Sequence, residues 1–536
     1  MPYDLVVVGA GPAGLAGAVT AAERGLSVAL LDGDARLGGQ FYRHPAPGLG
    51  ATRPEALHHD WAAFDALRRR WAASGGVHLP EHHVWTVTPE RADGVRGAGA
   101  DGASWAVHAV TGPDGAGDRP VLVRGRAVLL ATGAAERHLP FPGWTLPGVV
   151  GAGGAQAMLK AGLVLPGGQP DGPPGGQPDG PPDGPSDGRP DRRPGVPRAP
   201  RIVVAGSGPL LLAVASSLVA AGARVPAVVE AAGYRGYARR PDVLALAPAK
   251  WAEALTHGVP LAAHGVRPYG RHAVVRAHGA ERVEAVTVAR LDRDWRPLPG
   301  TERRITCDAL AVGHGLVPRI DLATSLGCAT RTTADGAIAL VVDASQRTSV
   351  PGLWSAGETA GVGGVRLALA EGELAGAAVA VRLRGCAAEG PPARTRALLR
   401  TRSRLRAFAE LMAAAHAPQD GWVDWLDDAT EVCRCEEVEA GRVREAVEQL
   451  GARDARTVKL LTRAGMGWCQ GRICGTAVAC LARGAGRPDL LGAGALPGSP
   501  ERRPLAVPVT LGALAALEEA PEPPSGGARP RDASHS

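Results

Sequence analysis

The sequence predicts an α/β protein built from two doubly wound nucleotide-binding units followed by a cysteine-rich unit. Three observations carry this expectation. Short apolar strands alternate with helical patterns along most of the 536 residues, glycine loops follow buried strands at residues 9–14 and 206–211, and four of the eight cysteines fall between Cys433 and Cys474. A chain of this length holds about three domains. With 45% hydrophobic and 21% charged residues, it is neither wholly disordered nor a membrane bundle. The net charge of +6 invites a nucleic-acid reading, but the lysines are Lys160, Lys250 and Lys459 alone, so 56 of the 59 basic residues are scattered arginines. They form no clustered phosphate-binding stripe.

The elements follow in order. Leu5-Val6-Val7-Val8 is a buried strand, and Gly9-Ala10-Gly11-Pro12-Ala13-Gly14 follows at once, opening a helix through Glu23. In this context the first glycine allows a tight turn, the second admits a pyrophosphate at the helix N-terminus, and the third lets helix and strand pack closely. Asp32 ends the next strand, 18 residues after Gly14, where a carboxylate can accept from an adenosine ribose. An adenine dinucleotide is expected here. Gly38-Gly39-Gln40 follows that strand, Ala131-Thr132-Gly133 ends the strand from Ala127, and Gly357-Glu358 precedes a helix from about Gly364.

The second loop, Gly206-Ser207-Gly208-Pro209-Leu210-Leu211, follows the strand Ile202 to Ala205, and Glu230 ends the next strand. Leu211 takes the third glycine position, where a side chain wedges helix from strand or crowds a pyrophosphate. NAD, ATP and an empty packing domain stay open there, with Glu230 favouring an unphosphorylated ribose. Between the two loops, 21 of residues 166–200 are Gly or Pro, and one octapeptide occurs at 167–174 and again at 175–182. This reads as a disordered insertion. The tail from Ala520 to Ser536 reads alike.

Cys433-Arg434-Cys435, then 33 residues, then Cys469 and Cys474 in a C-x4-C arrangement can hold a metal centre. C-x-C suits the larger [2Fe-2S] rhomb better than a tetrahedral zinc, which stays a lesser alternative. Gly465, Gly467, Gly471 and Gly475 let amides approach sulfur, and Lys459, Arg463 and Arg472 can offset negative charge. Cys307, Cys328, Cys386 and Cys480 are isolated and read as small buried hydrophobes. No Cys lies between Gly39 and Gly206, which excludes disulfide-reductase chemistry beside the first loop. His44, His138, His314 and Arg366 sit near the motifs without forming an acid–base set. Met1 runs straight into the first strand, so no secretory signal is expected, and the apolar stretch Pro209 to Val225 is interrupted by Ser216, Ser217 and Arg224, so no transmembrane segment is expected. The location expected is cytoplasmic.

Gly9 to Gly14, Gly39-Gln40, Ala131-Thr132-Gly133 and Gly357-Glu358 together resemble the two-dinucleotide-domain flavoproteins, where Glu358 stands at a position usually held by Asp. The cysteine segment resembles bacterioferritin-associated-ferredoxin-like domains. Val432 to Val438, Thr462 to Cys474 and Gly206 to Leu211 are similar to the alpha subunits of heteromeric FAD/[2Fe-2S] amino-acid and opine dehydrogenases. The resemblance implies an α/β fold of two Rossmann-like domains, a split FAD domain with an inserted NAD-type domain, plus a small C-terminal helical [2Fe-2S] domain. Its implied boundaries are residues 1–148 and 317–388 for the FAD domain, 149–316 for the insert, 389–430 for a helical connector, 431–485 for the cluster domain and 486–536 for a tail.

The resemblance implies FAD at Gly9, Gly11, Pro12, Ala13, Gly14, Asp32, Gly39, Gln40, Ala131, Thr132, Gly133, Gly357 and Glu358. It implies a cluster on Cys433, Cys435, Cys469 and Cys474, and a second nucleotide at Gly206, Gly208 and Glu230. The implied function is that of an electron-transferring subunit whose complex acts on CH-NH or CH-NH2 donors. The implied partners are a D-amino-acid-oxidase-like FAD subunit with a small ferredoxin-like [2Fe-2S] subunit. The alternatives are a stand-alone NAD(P)H-dependent flavin/iron–sulfur reductase and a redox-sensing interaction protein.

Overall fold

The computed structural model describes residues 2–58, 60–90, 104–112, 119–168, 198–233, 241–242, 248–385, 393–483, 503 and 505–515. Most of the 166–200 segment, Cys386 and the tail from Ala520 lie outside them.

The first glycine loop opens a seven-stranded sheet. Strands β1 (Tyr3–Val8), β2 (Val28–Leu31), β3 (Val77–Leu79), β4 (His82–Glu90), β5 (Ser104–Thr111) and β6 (Arg119–Leu130) lie in the order β3-β2-β1-β6-β5-β4. The parallel strands β1 from Leu5 on and β2 are apolar and buried, as burial on both faces requires, whereas β4 and β5 are antiparallel. After β6 the chain forms the short strand β7 (Ala134–Glu136) and crosses into a second sheet. That sheet is parallel, in the order β11-β10-β9-β15-β8, from β8 (Val149–Gly151), β9 (Ile202–Gly206), β10 (Ala227–Glu230), β11 (Arg267–Gly270) and β15 (Ala309–Gly313). An antiparallel trio packs beside it: β12 (His272–His278), β13 (Ala285–Arg290) and β14 (Arg303–Thr306). The chain returns through β16 (Leu316–Pro318), which pairs antiparallel with β7, so the outgoing and returning segments form one ribbon. After the hairpin β17 (Thr330–Thr332) and β18 (Ile338–Leu340), strand β19 (Leu353–Ser355) joins the first sheet beside β6.

The returning half is fastened by helix packing. Helix α1 (Pro12–Glu23) crosses a later helix, Val365–Arg384, so closely that a Cβ on Gly372 would stand 2.0 Å from the Ala13 carbonyl oxygen and one on Gly376 2.3 Å from that of Gly17. The helices between these two are α2 (Trp61–Ala73), α3 (Ala152–Gly162), α4 (Leu210–Ala220), α5 (Pro248–Ala263) and α6 (Asp321–Ser325), which makes Val365–Arg384 α7. The arginine-rich connector is α8 (Ala393–Ala415). Its Arg402 and Arg406 reach the carboxylate of Glu371 on α7 at 3.2 and 2.6 Å, and Glu371 is fully buried. The same carboxylate accepts from the Gly357 amide at 3.1 Å.

The cysteine-rich unit contains strands β20 (Glu431–Cys433) and β21 (Val438–Glu439) and helices α9 (Ala440–Glu448), α10 (Ala455–Thr462) and α11 (Gly475–Arg483). It shares one apolar core with the second nucleotide domain: Val432, Val443, Val458 and Val478 join Trp144, Val229, Val286 and Leu310 through Trp422 and Trp425 of the connector. Trp144 donates its indole N–H to the Glu431 carbonyl at 2.7 Å, and Trp425 donates to Trp295 at 2.8 Å. Residues 505–515, within the segment expected to be a tail, instead pack Leu505, Val507, Val509 and Ala513 against Trp85 and Val110 of the first sheet.

The buried ion pairs on Glu371 yield a stability prediction. Glu371→Gln leaves Arg402 and Arg406 without their buried counter-charge, and urea unfolding should show a loss of about 3–5 kcal/mol. An unchanged midpoint would mean that α8 is held by its apolar contacts alone.

Candidate functional site

The first loop forms a tight cradle. A Cβ on Gly9, at φ +104°, would lie 2.3 Å from the Ala131 carbonyl oxygen, and one on Gly14 1.8 Å from that of Gly9. Gly9 and Gly14 are therefore dictated by backbone packing. Gly11 differs: it opens α1 from an extended backbone, and nothing lies within 4 Å of the position a Cβ would take. The fold does not require a glycine there, but a phosphate approaching the Pro12-Ala13 helix start does. Asp32 lies at the cradle edge, its carboxylate accepting from the Ala10 amide and, at 2.7 Å, from the Asp34 amide. Burial pushes the Asp32 carboxyl above its ordinary range, and these amide bonds pull it back.

Three other expected segments converge on this loop. Gly38 donates to Ala10 at 2.9 Å, and a Cβ on Gly39 would stand 2.8 Å from the Gly11 Cα; Gln40 follows, exposed. Ala131 donates to Val8 at 2.9 Å. Thr132 and Gly133 continue from it and hold Arg319 after the ribbon, the Thr132 hydroxyl donating at 2.5 Å and the Gly133 carbonyl accepting at 2.9 Å. Gly357, at φ +82°, places its would-be Cβ 2.8 Å from the Ala13 methyl. Glu358 bends back instead: its carboxylate accepts from Gly363 at 2.6 Å and Gly364 at 3.0 Å, the amides that open α7. Burial pushes its carboxyl up. The glycine cradle, the edge carboxylate and the open Gly11 face fit a dinucleotide of the FAD type.

The isolated histidines, cysteines and Arg366 form no acid–base set with the cradle. His314 is buried beside Trp295 and Trp425, and burial holds its imidazole down to about 3. His44 hydrogen-bonds the Tyr42 carbonyl at 2.8 Å, burial of His138 lowers its pKa, and Arg366 faces solvent. Cys307 and Cys328 are buried, with the Cys307 thiol pushed up to about 12 by burial, and Cys480 is half-buried.

At the second loop, Gly206 is forced by the Gly313 carbonyl oxygen 1.7 Å from its would-be Cβ. Leu211 is buried in the core with Val204 and Leu218, and α4 starts one residue later against its loop than α1 does. The Glu230 carboxylate accepts from Gly208 at 3.1 Å and Ala232 at 2.9 Å. The end of the connector also reaches this loop: His416 Nδ1 lies 3.5 Å from Glu230, and the Ser207 hydroxyl donates to the His416 carbonyl at 3.1 Å. Nothing local in the sequence connects His416 to residues 207–230.

The four cysteines come together as two pairs. Cys433 with Cys474 forms a buried inner pair, and Cys435 with Cys469 an outer pair in which Cys435 is exposed. The Cys474 thiol hydrogen-bonds Cys433 and holds it down to about 5, with the Gly465 amide donating to the same sulfur at 3.5 Å. Four thiols in two pairs, one of them held towards its ionised form and with an amide aimed at its sulfur, fit a two-iron cluster. Among the described residues no three of His, Cys, Asp and Glu converge on a single ion. Arg472, from within the C-x4-C loop, donates with one arm to the Cys469 carbonyl at 3.3 Å and with the other to the Leu505 and Ala506 carbonyls at 3.1 and 2.6 Å, and lies 3.5 Å from Asp321. Arg503 donates to Asp321 at 2.6 Å and to the Gln470 carbonyl at 2.8 Å. The cluster loop is thus tied to the first domain.

Lys160 on α3 carries no signal in the sequence that would single it out. It is buried, donates to the Phe41 carbonyl at 3.5 Å, and lies 5.7 Å from the Phe41 ring centroid. Burial lowers it from 10.5 to about 8.

Both the open Gly11 face and the buried Lys160 amine can be tested by substitution. Gly11→Val should leave the melting temperature of the flavin-free protein unchanged while flavin bound per purified chain falls at least about tenfold; retained flavin would remove Gly11 from the cradle. For Lys160, the unfolded chain holds its proton up to about 10.5 and the folded chain releases it near 8, so stability rises with pH through that window. Lys160→Met should therefore stabilise by up to about 3 kcal/mol at pH 7, a gain that shrinks by pH 9.5 in parallel melts. A gain independent of pH would show that the amine carries no burial cost.

Comparisons with known proteins agree with this arrangement. The profile of the pyridine nucleotide-disulphide oxidoreductases matches residues 3–382, and that of the BFD-like [2Fe-2S] binding domain matches residues 431–482. The chain is 34% identical over 495 residues to hydrogen cyanide synthase subunit HcnB of Pseudomonas aeruginosa, covering 90% of this chain and 94% of that one. It is 32% identical over 488 residues to an opine oxidase subunit of Agrobacterium tumefaciens, covering 89% and 84%. The solved structure of L-proline dehydrogenase from P. horikoshii superposes with a TM-score of 0.63 at 19% identity, over 96% of this chain and 79% of that one, and shares the fold. No helix among the described residues is long and apolar enough to cross a membrane. These relatives do not favour the stand-alone reductase or the sensor. The cofactors are FAD and a [2Fe-2S] cluster. The chain belongs to the pyridine nucleotide-disulphide oxidoreductase family, as an oxidoreductase subunit of the kind represented by HcnB and its opine oxidase counterpart.

Proposed function

We propose that this chain is the electron-transferring subunit of a cytoplasmic heteromeric dehydrogenase that oxidises the C–N bond of an amino acid, imino acid or opine. The observation that carries the reading is the pairing, in one chain, of the open Gly11 cradle with four paired thiols, on a chain similar to HcnB and the opine oxidase subunit over about nine-tenths of its length. When bound, FAD supplies two-electron and the cluster one-electron redox chemistry.

In this reading Gly9, Gly11, Pro12, Ala13 and Gly14 receive the FAD pyrophosphate and Asp32 faces its ribose. Gly39, Gln40, Ala131, Thr132, Gly133, Gly357 and Glu358 line the same dinucleotide. Glu358 holds the Gly363-Gly364 turn, and α7 turns its positive end towards that line. Cys433, Cys435, Cys469 and Cys474 hold the cluster, with Gly465 supplying an amide to sulfur. Gly206, Gly208 and Glu230 form a second nucleotide loop for NAD or ATP, with His416 at its edge. The substrate is oxidised on a D-amino-acid-oxidase-like FAD subunit, and a small ferredoxin-like [2Fe-2S] subunit completes the complex. Residues 1–148 with 317–388, 149–316, 389–430 and 431–485 are its FAD, insert, connector and cluster units.

The test is co-expression with the two proposed partner types, followed by flavin, iron and sulfide analysis per chain and dye reduction with glycine, proline, D-amino acids and opines. The expected result is substrate-dependent dye reduction that vanishes with Cys469→Ser while flavin content is kept. Prompt anaerobic bleaching of the lone chain's flavin by stoichiometric NADH would overturn this reading in favour of a stand-alone reductase.

A further inference from the structure

The two cysteine pairs face different surroundings. The inner pair, Cys433 and Cys474, is sealed in the core shared with the second nucleotide domain, whereas Cys435 of the outer pair is exposed and Cys469 half-buried. What surrounds the outer pair is neither buried nor uniformly polar. Trp468, adjacent to Cys469, is 75% exposed, and Met466 in the same loop is exposed too. Gly467 between them backs directly onto Cys435, where a Cβ would meet that of Cys435 at 2.3 Å. Helix α10 brings a second strip to the same edge. Residues 456, 459 and 460 share one face of that helix, and Arg463, its C-cap, reaches Glu436, next to Cys435, at 2.8 Å. Leu460 on that strip is 65% exposed. Arg434, between the two cysteines, is exposed as well, with its guanidinium 5.5 Å from the Trp144 ring centroid.

The composition of this face is that of an interface. An exposed Trp with Leu and Met neighbours and arginines is the residue set that carries binding energy between proteins. Its charge selects the partner. Arg434, Arg456, Lys459 and Arg463 ring the apolar centre, while Glu436 is already taken by Arg463 and Glu437 stands beside it. Arg456 and Lys459 form no ion pair among the described residues. A partner docking here presents an acidic rim around an apolar centre. Because its contact lies over the exposed edge of a one-electron centre, the matching partner class is a one-electron carrier.

We infer that the face formed by Arg434, Arg456, Lys459, Leu460, Met466 and Trp468 is the docking surface for an acidic ferredoxin-type carrier protein. This rests on the reading of the four cysteines as cluster ligands, and it gives the small partner a definite place on the chain. The partner's acidic rim meets Arg456 and Lys459, and Trp468 supplies the buried anchor. Long-range attraction makes association weaken with salt, since rim charges act over about a Debye length.

Isothermal titration of the full chain with an acidic [2Fe-2S] ferredoxin tests this, with the basic protein cytochrome c as control. The expected result is binding to ferredoxin that weakens as salt rises and falls at least about tenfold in Trp468→Ala and in the double variant Arg456→Glu, Lys459→Glu, with no comparable binding of cytochrome c. Affinity unchanged in both variants would overturn the proposal, as would equal binding of cytochrome c. Sedimentation that shows self-association lost in Trp468→Ala would also overturn it, by giving the face to a second copy of this chain. Iron, sulfide and the electron paramagnetic resonance signal of the reduced protein are read on the same samples. A normal signal with affinity unaffected by the variants sinks the docking face and spares the cluster; variant-sensitive binding by a chain without iron or sulfide sinks the cluster reading and spares the face.

Discussion

A fully buried carboxylate, Glu371, is the constraint on which much of the arrangement depends. It directly precedes Gly372, where α7 meets α1 at glycine-to-backbone distance. Three groups from separate segments satisfy it: the Gly357 amide at the turn beside the dinucleotide cradle, and Arg402 and Arg406 from the connector. A buried charge so paired is costly to break, because each arginine would be left desolvated and uncompensated. The cradle turn, the helix behind it and the arm leading to the cluster unit are therefore fixed by one side chain. Arg406 extends the tie by donating to the Gly361 carbonyl at 2.5 Å, and Arg331 pairs with Glu410 at 2.9 Å.

The cluster unit is seated from two sides by different physics. Apolar burial joins it to the second nucleotide domain through Trp144, Trp422 and Trp425. Charge joins it to the first domain, where Asp321 at the start of α6 receives Arg503 and stands within reach of Arg472. Arg472 lies inside the four-residue spacer between Cys469 and Cys474. From there it bridges the Cys469 carbonyl and the Leu505 and Ala506 carbonyls. The segment 503–515 is what makes this possible, since Arg503 and the Leu505 and Ala506 carbonyls complete the clamp and the following apolar residues fasten it to the first sheet. This part of the segment expected to be a tail is held because Leu505, Val507, Val509 and Ala513 meet Trp85 and Val110.

The second nucleotide domain shows how a motif can be kept in outline while its edge changes. Gly206 and Gly208 retain the backbone that the loop needs, but Leu211 sinks into the core and α4 starts a residue later. Glu230 is occupied by two loop amides with His416 beside it, so the carboxylate that would meet a ribose also meets the connector. The same helix thus touches the first domain along its length and the second at its end.

The strands, the two loops and the cysteine spacing were legible because each is written in neighbouring residues: an apolar run, a glycine at a set offset, a pair of thiols. The observed β1 and β9 fall where those patterns place them. By itself the sequence determined the doubly wound class, and it marked out the residues proposed to cradle a dinucleotide and the four thiols proposed to hold a cluster. Tertiary structure alone decided which arginines matter. With 56 arginines in the chain, no local pattern distinguishes Arg402, Arg406, Arg472 and Arg503 from the rest. Their partners lie far away along the chain, as Asp321 does from Arg503, 182 residues on. Charge is cheap when solvated and decisive when buried, and burial is a property of the assembled fold.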